Sequence, residues 1–139
     1  MKYELKNLKT FNGRDGGGFE ATLYKDGKRI ATVFNDGCGG CTRYHFIDGD
    51  MEHSIIKELQ ALAVTLNAEY ADYVEAHDIY IDHLIDCKEN NKLAKNAVLF
   101  RKNPTNIFEM FQAKNTTEEA VRAKYPTAVV WSITQQAWI

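Results

Sequence analysis

The chain has 139 residues and a formal net charge of −2, and 45% of its residues are hydrophobic and 12% aromatic. This length and composition support a core and exclude an intrinsically disordered chain, and there is no run of about 18 apolar residues to span a membrane. Three cysteines are too few for a disulfide scaffold, and the start carries no apolar run typical of a signal peptide, so we expect a cytoplasmic protein.

Glycine and proline divide the chain into three parts. All nine glycines lie within the first 49 residues, and both prolines lie after residue 103. Glycine-rich turns are typical of short strands, whereas a long stretch without either residue favours helix. The sequence therefore predicts one α+β domain over residues 1–139, in which a largely antiparallel sheet packs against a long amphipathic helix, followed by a short C-terminal helix and a closing strand. The predicted parts are a β-meander over 1–48, a long helix or helical hairpin over 50–90, and two strands, a short helix and a final strand over 96–139.

The first part has the pattern of antiparallel strands. Apolar and polar residues alternate from Phe19 to Tyr24, and the pair Asp26 and Gly27 follows. Such a pair is typical of a two-residue type I′ turn, because both of its central residues take a positive φ. The predicted cross-strand pairs are Leu23 with Ile30 and Phe19 with Phe34, and further strands are expected over residues 3–11 and 42–47.

The middle part is predicted to be helical over residues 51–88. At 100° per residue, apolar side chains from Ile55 to Leu84 fall on one arc about 100° wide, with Asp50 as the N-cap. A continuous helix would be roughly 57 Å long, which is long for a domain of this size. Because the apolar phase is continuous we expect one long or gently bent helix, which could pair in a homodimer, and the alternative is a break near His77 and Asp78.

The last part mixes both kinds of element. Strands are expected over residues 97–102 and 107–112, and a closing strand over 127–138. Thr116 or Thr117 is expected to cap the short helix between them, and Pro126 to end it.

Charge is unevenly distributed along the chain. Residues 1–47 carry a net charge of +3, residues 48–87 carry −9 and residues 88–139 carry +4. On the predicted helix, five carboxylates lie within about 120° of arc beside the apolar stripe. They form either a solvated face neutralised by the sheet, a surface for a cationic partner, or a divalent-metal site. The predicted partner-binding residues are Asp72, Glu75, Asp78, Asp82 and Asp86.

A Cys-x-x-Cys motif lies in the glycine loop that follows the predicted hairpin. Cys38 and Cys41 have the spacing of two zinc ligands or of a redox pair, with His45 and Cys87 as further candidate zinc ligands. The alternative is a glycine loop whose cysteines have no special role. The glycine run over residues 13–18 is interpreted as a hairpin loop rather than a phosphate-binding loop.

Three aromatic residues near the end of the chain, Tyr125, Trp131 and Trp138, accompany several lysines. Aromatic and basic side chains together are typical of proteins that bind single-stranded nucleic acid. Packing of the two tryptophans in the core is the alternative, and His77, on the apolar arc, is likewise expected to be a hydrogen-bonded core or interface histidine.

Roughly the first 45 residues combine strands and glycine loops in a recognisable order. The pattern comprises Leu8, Lys9, Thr10, Phe11, Gly13, Gly16, Gly18, Phe19, the run from Ala21 to Lys28, Ala31, Val33, Asp36, Gly37, Gly39 and Gly40. It resembles a group of small uncharacterised proteins common in bacteriophage and prophage genomes. The resemblance implies a small accessory protein in the cytoplasm of a host cell, of a kind that often binds and disables a host factor.

These observations together predict a non-enzymatic accessory protein. Its expected partner is a host protein with a basic surface, for instance a component of a nucleic-acid-directed defence system, because a row of carboxylates can imitate a phosphate backbone. The alternatives are a zinc-binding protein that uses the Cys-x-x-Cys loop and a nucleic-acid-binding module that uses the basic last third. No membrane partner is expected.

Overall fold

The computed structural model describes residues 2–139 and confirms the α+β class with antiparallel sheets. The chain divides into two compact units, a first unit that ends at Ile85 and a second unit, Asp86–Ile139. Each unit has a four-stranded sheet of its own. The interpretation of the chain as one domain stays a prediction.

The sheet of the first unit is the predicted meander. Its strands β1 (Tyr3–Gly13), β2 (Gly16–Lys25), β3 (Lys28–Asn35) and β4 (Arg43–Phe46) lie side by side in chain order. The expected outer strands, over residues 3–11 and 42–47, are thereby confirmed. Side chains from one face of the sheet and from both helical segments that follow it form the core of this unit, whose most deeply buried members include Leu23, Val33, Ile55, Leu59 and Ile81.

The register of the β2–β3 hairpin differs from the predicted one. Asp26 and Gly27 form the turn with φ values of 51° and 80°, as their sequence predicts. Beyond the turn, however, Leu23 pairs with Ala31 instead of Ile30, which leaves Ile30 as the extra residue of a β-bulge. Both Ile30 and Ala31 are buried, which strict alternation would not allow. The predicted pairs Leu23–Ile30 and Phe19–Phe34 are therefore wrong, and Phe19 pairs with Asn35.

The middle of the chain is helical but is not one continuous helix. Helix α1 (Glu52–Leu66) is followed by a 3-10 turn (Ala68–Asp72) and then by α2 (Ala76–Ala94). Asn67 has extended backbone angles, φ −157° and ψ 120°, and its side chain accepts a hydrogen bond from the Glu69 N–H. Asn67 thus caps the turn and interrupts the helix. The preference for one continuous helix is therefore wrong, whereas the alternative of a break near His77 agrees with the interruption, which ends where α2 begins at Ala76.

The start of α1 also differs in detail from the prediction. Asp48, rather than Asp50, acts as a cap, because its side chain accepts a hydrogen bond from the Asp50 N–H at 3.0 Å. A short 3-10 turn (Gly49–Met51) therefore precedes α1.

The second unit contains the end of α2, helix α3 (Glu118–Lys124) and four short strands. The strands are β5 (Val98–Arg101), β6 (Phe111–Ala113), β7 (Val129–Ser132) and β8 (Ala137–Trp138), in the spatial order β6-β5-β7-β8. Thr117 caps α3, since its Oγ1 accepts a hydrogen bond from the Ala120 N–H at 3.2 Å, and the helix ends before Pro126 as expected.

Two predicted strands of the second unit need correction. The strand expected over residues 107–112 begins only at Phe111, and residues 107–110 belong to the preceding loop. The closing strand expected over residues 127–138 is a hairpin of β7 and β8, because the chain turns at residues 133–136, where Gln136 has a φ of 55°.

Candidate functional site

The five carboxylates predicted to line one helix face do not share a helix. Asp72 ends the 3-10 turn, Glu75 lies between that turn and α2, and Asp86 belongs to the second unit. Only Asp78 and Asp82 lie in the part of α2 that belongs to the first unit. The predicted continuous acidic face is therefore corrected, because the chain leaves the helix at Asn67. Asp72 and Glu75 lie outside α2, and Asp78, Asp82 and Asp86 lie on it.

Asp78 faces the sheet rather than solvent. Its carboxylate accepts a hydrogen bond from the Tyr44 hydroxyl at 2.7 Å and from the Thr42 N–H at 3.2 Å. The side chain is only 15% exposed. Asp78 thus fastens α2 to the beginning of β4, and we withdraw it from the predicted partner-binding residues.

Tyr44 and His77 complete this junction. Burial, together with the hydrogen bond to Asp78, raises the pKa of the Tyr44 phenol above its ordinary value, so the phenol keeps the proton that it donates. The His77 ring lies 5.6 Å from the Tyr44 ring, and its Nδ1 lies 3.5 Å from Gln60 Nε2. His77 is therefore a half-buried, hydrogen-bonded histidine, as expected, and the junction is suited to holding the fold rather than to proton transfer.

Glu58 forms a second polar junction, between α1 and the sheet. Its carboxylate accepts a hydrogen bond from the Tyr3 hydroxyl and lies 2.8 Å from Lys25 Nζ. The hydrogen bonds from Lys25 and then from Tyr3 lower the pKa of Glu58 below its ordinary value. These interactions favour the ionised carboxylate in the folded state only.

The lowered pKa of Glu58 predicts a pH dependence of stability. A carboxylate with a lowered folded-state pKa stabilises the fold above its unfolded-state pKa of about 4.3, and this contribution is lost as the pH falls through the folded-state pKa. The stability difference between the wild-type protein and Glu58→Gln should therefore shrink between about pH 6 and about pH 3. Urea unfolding followed by circular dichroism measures it.

Glu20→Gln is the matched control, since Glu20 is exposed on β2. Its stability difference from the wild-type protein should change less over the same pH range. A difference for Glu58→Gln that stays constant with pH would contradict the assigned role of Glu58.

The predicted zinc ligands are divided between the two units. Cys38 and Cys41 are exposed in the loop before β4, on which His45 lies, whereas Cys87 is buried in the second unit beside Trp131. Burial raises the pKa of the Cys87 thiol to about 11, so it stays protonated near neutral pH. Among residues 2–139, no three His, Cys, Asp or Glu side chains are grouped to hold a metal ion. The described part of the chain therefore gives no support to the predicted four-residue zinc site.

The two tryptophans are not exposed together as an aromatic surface. Trp131 is buried, and its indole N–H donates to Asn91 Oδ1 at 2.8 Å. The Trp131 and Trp138 rings pack in a T-shaped arrangement with their centroids 5.4 Å apart. The Arg101 guanidinium lies 4.2 Å from the centroid of the Trp138 ring. Core packing, the alternative interpretation, describes Trp131.

A surface pocket that the sequence did not predict lies where α1 is followed by the 3-10 turn. It has a volume of about 390 Å³. Tyr73 and Val74 contribute to its lining with side chains 55% and 85% exposed, and the Tyr70 ring lies 5.6 Å from that of Tyr73. The Gln60 side chain donates to the Val74 carbonyl at 3.1 Å and so holds the backbone in place. We call this site the Tyr73 pocket.

The surroundings of the Tyr73 pocket are acidic. Glu69, Asp72 and Glu75 are exposed on the segment that forms it, and residues 58–87 contain seven Asp or Glu but no Lys or Arg. The pocket therefore combines exposed aromatic and aliphatic side chains with three exposed carboxylates. Sequence reasoning missed it because Tyr70 and Tyr73 lie on the apolar arc of the supposed continuous helix and were assigned to the core. The capping residue Asn67 was the available signal.

Within the described part of the chain, no helix is both long enough and apolar enough to cross a bilayer. No protein-family model matches this sequence, and no curated protein and no solved structure is significantly similar to it.

Proposed function

We propose that this chain is a non-enzymatic binding protein whose Tyr73 pocket receives a basic segment of a partner protein. The observation that carries the proposal is the exposure of Tyr73 and Val74 on an ordered turn inside a stretch without any Lys or Arg. Packing of the first unit does not account for two exposed apolar side chains at a pocket. They are suited to a partner that brings an apolar or aromatic side chain of its own.

The pocket is suited to an anchor residue. Binding energy at protein interfaces is concentrated in a few buried aromatic or aliphatic contacts, which are surrounded by polar groups. Tyr73 and Tyr70 offer aromatic edges and faces, and the hydrogen bond from Gln60 to the Val74 carbonyl keeps the turn ordered before binding. An ordered site loses less conformational entropy when it binds.

The charge around the pocket supports a cationic partner. Glu69, Asp72 and Glu75 are exposed, so ion pairs with them would each contribute little to affinity. Together they attract a basic segment from a distance and disfavour an acidic one. We therefore expect the apolar contact to provide most of the affinity for the partner, and the carboxylates to provide the selectivity for a basic segment over an acidic one.

The proposed partner is a protein that normally binds nucleic acid. Such proteins contact phosphates through Lys and Arg, and these contacts supply much of their affinity. A partner held at the Tyr73 pocket would have that basic segment covered, so the proposed effect is inhibition. A phage-type accessory role in a host cell is part of this proposal and is supported by the resemblance of roughly the first 45 residues.

A defined peptide tests the pocket without a known partner. The probe is a short, fluorescein-labelled, lysine-rich peptide with one central tryptophan, and its binding to the full chain is followed by fluorescence anisotropy. Tyr73→Ala should weaken binding about tenfold, because the aromatic anchor loses its contact. The double variant Asp72→Asn with Glu75→Gln should weaken binding at low salt and make it less dependent on salt.

Ile47→Ala is the matched control, since Ile47 is also an exposed apolar residue of the first unit and lies outside the pocket. It should bind the probe like the wild-type protein. The proposal fails if the probe does not bind at about millimolar concentration, or if a companion peptide with alanine for tryptophan binds equally well. It also fails if the chain self-associates in a manner that Tyr73→Ala abolishes, because the pocket would then belong to a second copy.

A further inference from the structure

The loop between β5 and β6 presents apolar side chains to solvent. Phe108 is 94% exposed, and its neighbours Ile107 and Met110 are also exposed. Isolated exposed apolar residues are ordinary, but several together mark a surface that binds something. The buried clusters of the second unit form around Phe100 and Trp131, and these three side chains belong to neither cluster.

Hydrogen bonds hold this loop in one conformation. The Lys102 N–H donates to Glu109 Oε1 at 3.0 Å, and the Phe108 N–H donates to Asn106 Oδ1 at 3.2 Å. At the other side, Arg101 Nη2 donates to the Ile107 carbonyl at 3.3 Å. Phe108 is therefore presented on an ordered backbone, so binding through it does not require the loop to be ordered first.

Lysines and aromatic rings meet at the base of the loop. Lys102 Nζ lies 4.4 Å from the centroid of the Phe111 ring and 4.9 Å from that of Tyr125. Lys124 Nζ lies 5.5 Å from the Tyr125 ring. Phe100 stacks at 5.5 Å from both rings and fixes their positions. The ammonium groups and the partly exposed rings thus form one contiguous patch.

We infer that this patch binds single-stranded nucleic acid. We call it the Phe108 surface and define it as Lys102, Phe108, Phe111, Lys124 and Tyr125. Phe108, 94% exposed, is the ring open to an unpaired base of any sequence, while the lysines beside Phe111 and Tyr125 contact the phosphates. The charge of the second unit favours an anionic ligand, because this unit contains eight Lys or Arg against five Asp or Glu. Glu109, the acidic residue of the loop, accepts a hydrogen bond from the Lys102 N–H.

A single strand fits this surface better than a duplex. Bases in a duplex are already stacked on one another, so a protruding phenylalanine reaches their faces only after the duplex is unstacked. The Phe108 surface also lies in the second unit and shares no residue with the Tyr73 pocket. This inference and the proposed function are therefore independent, and either can fail without the other.

Fluorescence anisotropy with a labelled single strand of thymidines tests the inference on the full chain. We expect binding at low salt that weakens as salt rises. Phe108→Ala should weaken it about tenfold, because one stacked base loses its platform, and should leave the salt dependence unchanged. Lys124→Gln should reduce the slope of log affinity against log salt by about 0.7, the change expected for one lost phosphate contact with a single strand.

Ile133→Ala serves as the matched control, because Ile133 is exposed in the β7–β8 turn, outside the Phe108 surface. It should bind the strand like the wild-type protein, and circular dichroism should confirm that all three variants fold. The inference is overturned if no strand binds at low salt, or if Phe108→Ala behaves like Ile133→Ala. A duplex bound as tightly as the single strand would also overturn it. So would binding to phosphatidylserine vesicles without binding to the strand.

Discussion

Asp78→Ala is expected to lower the free energy of unfolding by about 2–4 kcal/mol. The substitution removes the only acceptor described for the Tyr44 hydroxyl and for the Thr42 N–H among residues 2–139. Each buried donor left without an acceptor costs about 1–3 kcal/mol, which is more than the net value of the bond itself. Urea unfolding followed by circular dichroism measures the loss.

Asp72→Ala is the matched control for Asp78→Ala. It removes the same charge from an exposed position on the neighbouring turn, so its effect should stay within about 0.5 kcal/mol. In a double-mutant cycle, Asp78→Ala and Tyr44→Phe should be strongly non-additive, because both remove the same hydrogen bond. Equal effects of Asp78→Ala and Asp72→Ala would contradict the structural role of Asp78 and return it to the acidic surface.

The contrast between Asp78 and Asp72 shows what a charge pattern in a sequence leaves open. Both carboxylates lie in the acidic segment, and their spacing alone gives them the same interpretation. One of them accepts two hydrogen bonds from the sheet, whereas the other lies at the exposed pocket. The difference depends on which strand packs against the helix. That is a contact between residues distant in the chain, and local periodicity does not contain it.

Features determined by neighbouring residues were predicted correctly. The Asp26–Gly27 turn and the Thr117 cap depend on a few adjacent residues, and both have the expected geometry. The bulge at Ile30 was missed, because its benefit is the burial of two successive side chains under a helix. That benefit exists only after the sheet and the helix have met.

The helix break at Asn67 was missed for a related reason. The segment from Asn67 to Glu75 contains no glycine or proline, and its tyrosines continue the apolar phase. A capping asparagine ends a helix without either residue, since its side chain replaces the lost backbone hydrogen bond. The same oversight concealed the Tyr73 pocket. The Tyr73 pocket therefore lies at the point where the chain departs from the continuous helix that the apolar periodicity predicts.

The loop ahead of β6 shows a third kind of divergence. Ile107, Phe108 and Met110 have the composition of a strand, and the sequence predicts one over residues 107–112. In the structure, hydrogen bonds from Lys102 and Arg101 hold these residues in a loop instead. The exposure of Phe108 therefore follows from side-chain acceptors such as Glu109 and Asn106, whose partners the hydrophobic pattern does not reveal.

Gly13→Ala is expected to destabilise the first unit by at least about 2 kcal/mol. The end of the β1–β2 hairpin packs against the loop that follows β3, where the Asp15 N–H donates to the Gly37 carbonyl at 2.7 Å. A Cβ on Gly13 would lie 2.5 Å from both the Cα and the carbonyl oxygen of Gly37. Because these are backbone atoms, no side chain can rotate away, and the hairpin must separate from the loop.

Gly17→Ala provides the control within the same glycine run, since a Cβ there meets nothing within 4 Å. Its free energy of unfolding should stay unchanged or rise by up to about 1 kcal/mol, because alanine restricts the unfolded chain. Gly37→Ala should resemble Gly13→Ala, because Gly37 has a φ of 72° and its Cβ would lie 2.7 Å from the Gly13 Cα. If Gly13→Ala proves as stable as Gly17→Ala, this backbone contact is not the reason for the glycines, and a ligand-binding role for the run becomes the better explanation.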